Sequence, residues 1–376
     1  MSSNCLEYAK REKEAGRAVV GIMCEYTPRE LIIAAGAAPV CLCGGSLSTI
    51  GTAEERLPSN LCPLIKSTYG YALQKSNPFL EMADLVVGET TCDGKKKMLE
   101  LLAEEYPVMS LELPQTENNT EALAHWTNEL RQLKNELEQR LGVEITDEKM
   151  RQAIGVMNRE RSLRRQLAEF MKADAPPLTG RELLDLKSSI SGICADLTQY
   201  EKMIELLKTT TPEPGQTDRV RVLLTGVPVV HGQERVVDII EQNGGLIVSM
   251  DNCTGVKPIL DDVDEQAEDP LLAIAEKYFK LPCPVMTPNL NRLDVLRQLA
   301  ADYRPHCLIE LVWQTCTIYE VEVFKIRRLA EEELGLPYLN IVTDYTPSDS
   351  PRITVRIEAL FEAVRASMRS AASGRA

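Results

Sequence analysis

Eleven cysteines are the residues in this chain best suited to metal or redox chemistry. No Cys-x-x-Cys occurs; the nearest pair is Cys41 and Cys43, and the histidines (His125, His231, His306) are scattered. That spacing does not fit a zinc finger or ribbon. The start, Met1 to Glu7, has no basic-then-apolar signal, so a disulfide framework is not expected either. Thiolates far apart in sequence but gathered by folding suit an iron–sulfur cluster. Six of them, Cys24, Cys43, Cys62, Cys92, Cys253 and Cys316, follow expected strands or open expected helices, and Cys283 lies in the loop Pro282-Cys283-Pro284. At a helix start the backbone N–H groups and the positive dipole end favour anions and lower a thiol pKa. Cys92, followed by Lys95, Lys96 and Lys97, is the strongest such case. Three cysteines look structural: Cys5 near a mobile terminus, Cys194 buried within a helix, and Cys307 entering a strand from its amino end. Cys41 shares a strand face with Cys43, and its role stays open.

The elements that must position these thiols read as α/β. The apolar run Leu85 to Gly88 is a buried parallel strand, followed by small polar residues, Cys92 and a helix start rich in good helix formers that continues into Met98-Leu99-Glu100-Leu101-Leu102. Cys92 is therefore expected just beyond the carboxyl end of a strand, where open α/β sheets bind ligands. Residues 17–23 form a first strand ending at Cys24. A helix follows, with Thr27 as N-cap, Pro28 in the first turn and Glu30 closing a capping box. Pro39 to Cys43 is a second strand, Leu61-Cys62-Pro63 opens a helix, and Pro107 to Leu111 is a further strand. Residues 129–141 and 149–172 have helical spacing and solvated charge. Pro212 to Gln216 is a linker. Strands resume at 219–224, 246–250, 308–313 and 339–342, alternating with helices at 234–242, from near 292, at 319–334 and at 352–368. The expectation is two Rossmann-like (flavodoxin-like) parallel-sheet domains, 1–115 and 216–376, with a helical insert at 116–215.

The net charge of −14, from 42 basic and 56 acidic residues, argues against nucleic acid or an anionic membrane as partner. No apolar stretch reaches the roughly 20 residues of a membrane span, and the balance is that of a cytoplasmic enzyme. Gly88 to Lys95 resembles a P-loop, but the glycine spacing is one residue too long and Lys96 stands at the Ser/Thr position. There is no G-x-G-x-x-G fingerprint and no G-x-S-x-G elbow. His231 could serve as a proton donor in a crevice or as an ordinary structural histidine.

The motifs Glu25-Tyr26-Thr27-Pro28-Arg29-Glu30-Leu31, Leu61-Cys62-Pro63, Thr91-Cys92-Asp93 and Trp313-Gln314-Thr315-Cys316 resemble those of the 2-hydroxyacyl-CoA dehydratase and benzoyl-CoA reductase superfamily. The resemblance spans nearly the whole chain. It implies three cysteines, here Cys62, Cys92 and Cys316, holding an iron–sulfur cluster in a cleft between two Rossmann-like domains. Cys24, Leu42-Cys43-Gly44, Asn252-Cys253-Thr254-Gly255 and Pro282-Cys283-Pro284 resemble the double-cubane cluster branch more closely. That branch implies a larger cluster (8Fe-9S) needing about six cysteines, with Cys24, Cys43 and Cys283 as further ligands and Cys253 in reserve. It also implies a homodimer, a small-molecule substrate reduced at low potential, and a separate ATP-hydrolysing 4Fe-4S activator. The alternative is an (R)-2-hydroxyacyl-CoA dehydratase subunit with a single 4Fe-4S cubane. A third possibility is an electron carrier or cluster scaffold.

Overall fold

The computed structural model describes residues 2–117 and 119–373. The chain divides into two compact units that are interleaved in sequence. The first comprises Met1–Arg165, Lys187–Glu201 and Pro258–Asn289; the second comprises Gln166–Leu186, Lys202–Lys257 and Leu290–Ala376.

The first unit contains β1 (Val19–Ile22), β2 (Ala38–Cys41), β3 (Leu85–Glu89) and β4 (Val108–Leu111) as one parallel sheet in the order β2-β1-β3-β4. Val19, Val20, Val86 and Val87 are fully buried, as expected for strands covered on both faces. The order reverses direction between β1 and β3, which makes that point the ligand-binding crevice of an open α/β sheet. The helix Thr120–Leu141 is started by the Asn119 side chain, which accepts from the N–H groups of Glu121 and Ala122. Trp126, Leu130, Leu133 and Leu137 repeat at helical spacing and are fully buried. This helix packs against the helix Pro270–Phe279, which is begun by Asp269 and was not anticipated from its short apolar pattern.

The second unit repeats the plan. β5 (Val220–Gly226), β6 (Gly245–Asp251), β7 (Cys307–Trp313) and β8 (Tyr338–Thr343) form a parallel sheet in the order β6-β5-β7-β8. Every residue of β5, β6 and β7 is buried. Gly226 has φ +113°, and an added Cβ would stand 2.0 Å from the Leu311 carbonyl oxygen, so only glycine lets β5 approach β7 here. A buried ionic cluster joins the strands to the helix Leu290–Tyr303. Arg292 meets Asp251 at 3.2 Å, Glu310 at 3.4 Å and Glu322 at 2.7 Å, and donates to Thr225 Oγ1 at 2.9 Å.

The α/β architecture with two parallel sheets is thus present. Three local expectations change. Thr27 and Glu30 form no capping box: the helix Arg29–Ala34 has Pro28 at its N-cap with no side-chain cap. Thr27 instead donates to the Glu89 carboxylate, and Glu30 receives Arg161 and Tyr278. Both side chains serve tertiary contacts that outweigh a local turn. Cys194 is the first residue of the helix Cys194–Leu207 and is exposed, not buried within it. Cys5 lies in the helix Ser2–Glu14 and is buried against Ser188, with Sγ and Oγ 3.1 Å apart. Among the described residues, no helix is long and apolar enough to cross a membrane.

Candidate metal centre

Five of the seven candidate cysteines belong to the first unit. Cys24 follows β1, and Cys43 lies two residues beyond the end of β2. Cys92 follows β3 and is the N-cap of the helix Asp93–Leu102; Cys62 is the N-cap of the helix Pro63–Gln74. The loops carrying them are tied together by hydrogen bonds. Gly44 N donates to Thr68 Oγ1 and Ser46 N to Ser67 Oγ, each at 2.9 Å, which joins the Cys43 loop to the helix begun by Cys62. A Cβ on Gly44 would lie 2.5 Å from the Thr68 nitrogen, so this approach also requires glycine. The Cys283 loop is held at both ends. Tyr26 Oη donates to the Leu281 carbonyl at 3.2 Å, and Thr287 N donates to the Gln115 carbonyl at 2.9 Å. The Gln115 side-chain amide in turn donates to the Thr90 and Thr91 carbonyls, each at 3.1 Å, immediately before Cys92.

One cation sits among these thiols. Lys95 is buried and pairs with the fully buried Glu89 at 3.0 Å, and Glu89 also receives Thr27. The Lys95 ammonium is held above its ordinary pKa. Burial opposes this, but Glu89, Cys24 and Cys43 overcome it. Of the three lysines only Lys95 turns inward; Lys96 and Lys97 are exposed and pair with Asp93 and Glu100. The Cys92 thiol is close enough to feel charge on Cys62 and Lys95. Its pKa is raised, against expectation, because burial outweighs the favourable N–H groups of Gly94 and Lys95 and the lysine charge. The Cys43 thiol reaches the Met23 carbonyl at 3.7 Å or the Cys41 sulfur; the second arrangement lowers the Cys41 pKa and raises that of Cys43.

Cys253 and Cys316 belong to the second unit. Cys316 is the N-cap of the helix Thr317–Arg328 and follows β7. The preceding Thr315 has φ +65°, a left-handed conformation that is costly for a β-branched residue and typical of functional loops. No residue pattern announced it. Cys253 lies in a turn organised by the buried Asn252. Its Oδ1 accepts from Thr254 N at 3.1 Å, Thr254 Oγ1 at 2.9 Å and Gly255 N at 2.8 Å, while its Nδ2 donates to the Val227 carbonyl at 3.3 Å. Asn252→Ala strands these groups and is expected to lower stability by about 1–3 kcal/mol. A urea midpoint equal to that of the wild type would show that the turn holds without its side-chain acceptor. Cys307 is fully buried at the start of β7, and burial pushes its thiol up to about 12. His231 is exposed, with Nδ1 3.2 Å from Glu234.

Among the described residues no three His, Cys, Asp or Glu side chains converge on one point as a single-ion site requires. A single zinc needs all its sulfurs within about 2.3 Å of one centre. A cubane iron–sulfur cluster places each cysteine on a different iron, so its ligands ring a space without meeting. Soft donors at strand ends and helix starts, with a fixed cation among them, fit such a cluster better than a lone hard ion.

Residues 24–364 match the family model for the D-component of 2-hydroxyglutaryl-CoA dehydratase. The chain is 38% identical to the Escherichia coli (strain K12) protein YjiM over 363 residues, covering 93% of this chain and 92% of YjiM. It is 22% identical to the (R)-phenyllactyl-CoA dehydratase beta subunit of Clostridium sporogenes, over 94% of this chain and 93% of that one. It is 23% identical to the (R)-2-hydroxyglutaryl-CoA dehydratase beta subunit of Acidaminococcus fermentans, over 94% of this chain and 94% of that one.

Proposed function

Because the chain belongs to the 2-hydroxyglutaryl-CoA dehydratase D-component family, we propose that it is an iron–sulfur enzyme component carrying a double-cubane cluster (8Fe-9S). In this reading it reduces a small substrate at low potential, with electrons from a separate ATP-hydrolysing 4Fe-4S activator, as a cytoplasmic homodimer. The observation that carries it is the surplus of thiols. Cys24, Cys43, Cys62, Cys92 and Cys283 all lie on mutually tied loops of one unit, and a single cubane with three ligands per subunit does not use them all. Cys316 and Cys253 are the proposed contribution of the second unit. The cluster supplies low-potential electrons when bound. The chain's own part is to hold it: Glu89 and Thr27 fix the Lys95 ammonium, which offsets thiolate charge, and the N–H groups of Gly94 and Lys95 favour the anionic form of Cys92.

The second reading is an (R)-2-hydroxyacyl-CoA dehydratase subunit with one 4Fe-4S cubane and a different partner subunit. It is favoured by the likeness to the two dehydratase beta subunits from Clostridium sporogenes and Acidaminococcus fermentans. Anaerobic determination of iron and acid-labile sulfide separates the two. The first predicts about eight irons per chain, and about four would replace it by the second. The second also predicts saturable binding of an acyl-CoA in isothermal titration.

A further inference from the structure

The first unit holds a second polar site, a pocket of about 30 Å³ whose lining includes Glu25, Arg29, Arg161, Lys187, Lys277 and Tyr278. One ordered water needs only about 10–15 Å³ of such volume, so there is room for roughly the two or three innermost atoms of an anion whose remainder stands at the mouth. Its inner wall is charged and buried. Arg29 pairs with Glu25 at 2.8 Å, and Arg161 donates to the Glu30 carboxylate and to Tyr278 Oη. Its mouth is half-buried: Lys187, 3.5 Å from Glu25, and Arg164, 3.9 Å from Glu160, stand beside the hydroxyl-bearing segment Ser188–Ser191. That segment lies along the edge of β2, where Cys41 N donates to the Ser189 carbonyl at 2.9 Å.

The charges do not balance. Along the inner wall Arg29 takes Glu25 and Arg161 takes Glu30, while the third buried cation, Lys277, faces the same two carboxylates. Lys277 is the cation left over. Its Nζ donates to the Pro258 carbonyl at 3.2 Å and stands 4.2 Å from the Tyr278 ring centroid, and no carboxylate among the described residues lies within ion-pair distance of it. Burial, Arg161 and Arg29 push the Lys277 ammonium down to about 7, against the opposing pull of Glu30 and Glu25. A cavity lined by excess buried cations and polar hydroxyls is complementary to a small anion.

We propose that this pocket binds one small oxyanion group through Lys277 and the neighbouring guanidinium groups, with the carboxylate of a short acid as the class its volume favours. An arriving negative charge compensates the surplus and keeps Lys277 protonated. The other titratable or charged groups facing Lys277 (Glu25, Glu30, Arg29, Arg161, Tyr278) and those at the mouth (Cys41, Glu160, Arg164, Lys187) belong to the same site. The proposal holds whether one cubane or two are present, although Glu25 and Cys41 of the lining adjoin the proposed ligands Cys24 and Cys43.

The test is isothermal titration of the full chain with acetate and, separately, inorganic phosphate, at pH 8 in buffers of different ionisation enthalpy. Free Lys277 is mostly neutral at that pH and the bound state is charged, so binding is expected to take up as much as about one proton. Lys277→Met should weaken binding roughly tenfold or more and remove the uptake. Lys277→Arg, which keeps the charge, should bind without proton uptake. Saturable acetate binding with this pattern supports the carboxylate assignment, and the same pattern with phosphate alone reassigns the oxyanion to phosphate. No saturable binding of either anion, or binding that Lys277→Met leaves unchanged, overturns the proposal.

Discussion

Replacing Cys92 by serine is expected to remove at least roughly half of the bound iron and sulfide from the anaerobically purified protein. Cys62→Ser should do the same, because both residues open helices at one end of the same sheet and their thiols lie within electrostatic reach of each other. Cys194→Ser should leave iron content and the visible spectrum intact, since that thiol is exposed at the start of a helix. Cys307→Ser is a second control, its thiol being buried alone at the amino end of β7, away from the ligand-binding edge of the sheet. The measurement is iron and labile sulfide per chain together with the absorption spectrum. Equal iron in Cys92→Ser and Cys194→Ser would remove the basis for placing a cluster at the strand ends. The raised pKa of the Cys92 thiol does not oppose the assignment, because a coordinated thiol gives up its proton to the metal.

The other large effect is expected at Arg292. Its side chain is fully buried and serves Asp251, Glu310 and Glu322 together. Arg292→Met leaves these carboxylates without their cation. Breaking a buried ionic cluster in this way costs about 3–5 kcal/mol. The urea midpoint should fall accordingly, and adding Glu322→Gln should restore part of the loss by removing one orphaned charge. Arg297→Met is the comparison. Its pairs with Asp294 and Glu333 are exposed, so a change within about 0.5 kcal/mol is expected. If Arg292→Met unfolds at the wild-type midpoint, the cluster is not what holds β5, β6 and β7 to the helix Leu290–Tyr303.

Much of this was legible in the residues. Apolar runs bounded by glycine or proline placed the eight strands of the described residues, and Pro63 after Cys62 located a helix start within a residue. Cys92 stands where its strand-then-polar pattern put it. What failed was the assignment of local roles to residues with tertiary partners. Thr27 and Glu30 have the spacing of a capping box, yet their partners come from β3, the helix Asp147–Glu169 and Tyr278. The helix start at Cys92 suggested a lowered thiol pKa, but burial depends on neighbours distant in sequence and reversed the sign. Lys95 could not be told from Lys96 and Lys97 without the helix phase, which turns only the first of them inward. The cation-rich pocket draws on helices and a β2-edge segment spread from Glu25 to Tyr278, so no contiguous motif marks it.

The interleaving of the two units bears on how the protein is made. The polypeptide passes from one unit to the other five times. All four strands of the first sheet have been synthesised by Leu111, but the helix Pro270–Phe279, against which Thr120–Leu141 packs, emerges from the ribosome more than a hundred residues later. The nascent chain must therefore carry the helix of Trp126, Leu130, Leu133 and Leu137 without this part of its cover while more than a hundred further residues are made, packed only on earlier elements such as β4 and the helix Arg29–Ala34. A fragment ending at Arg165 would lack that cover for good, with Tyr26 as the remaining aromatic neighbour of Trp126.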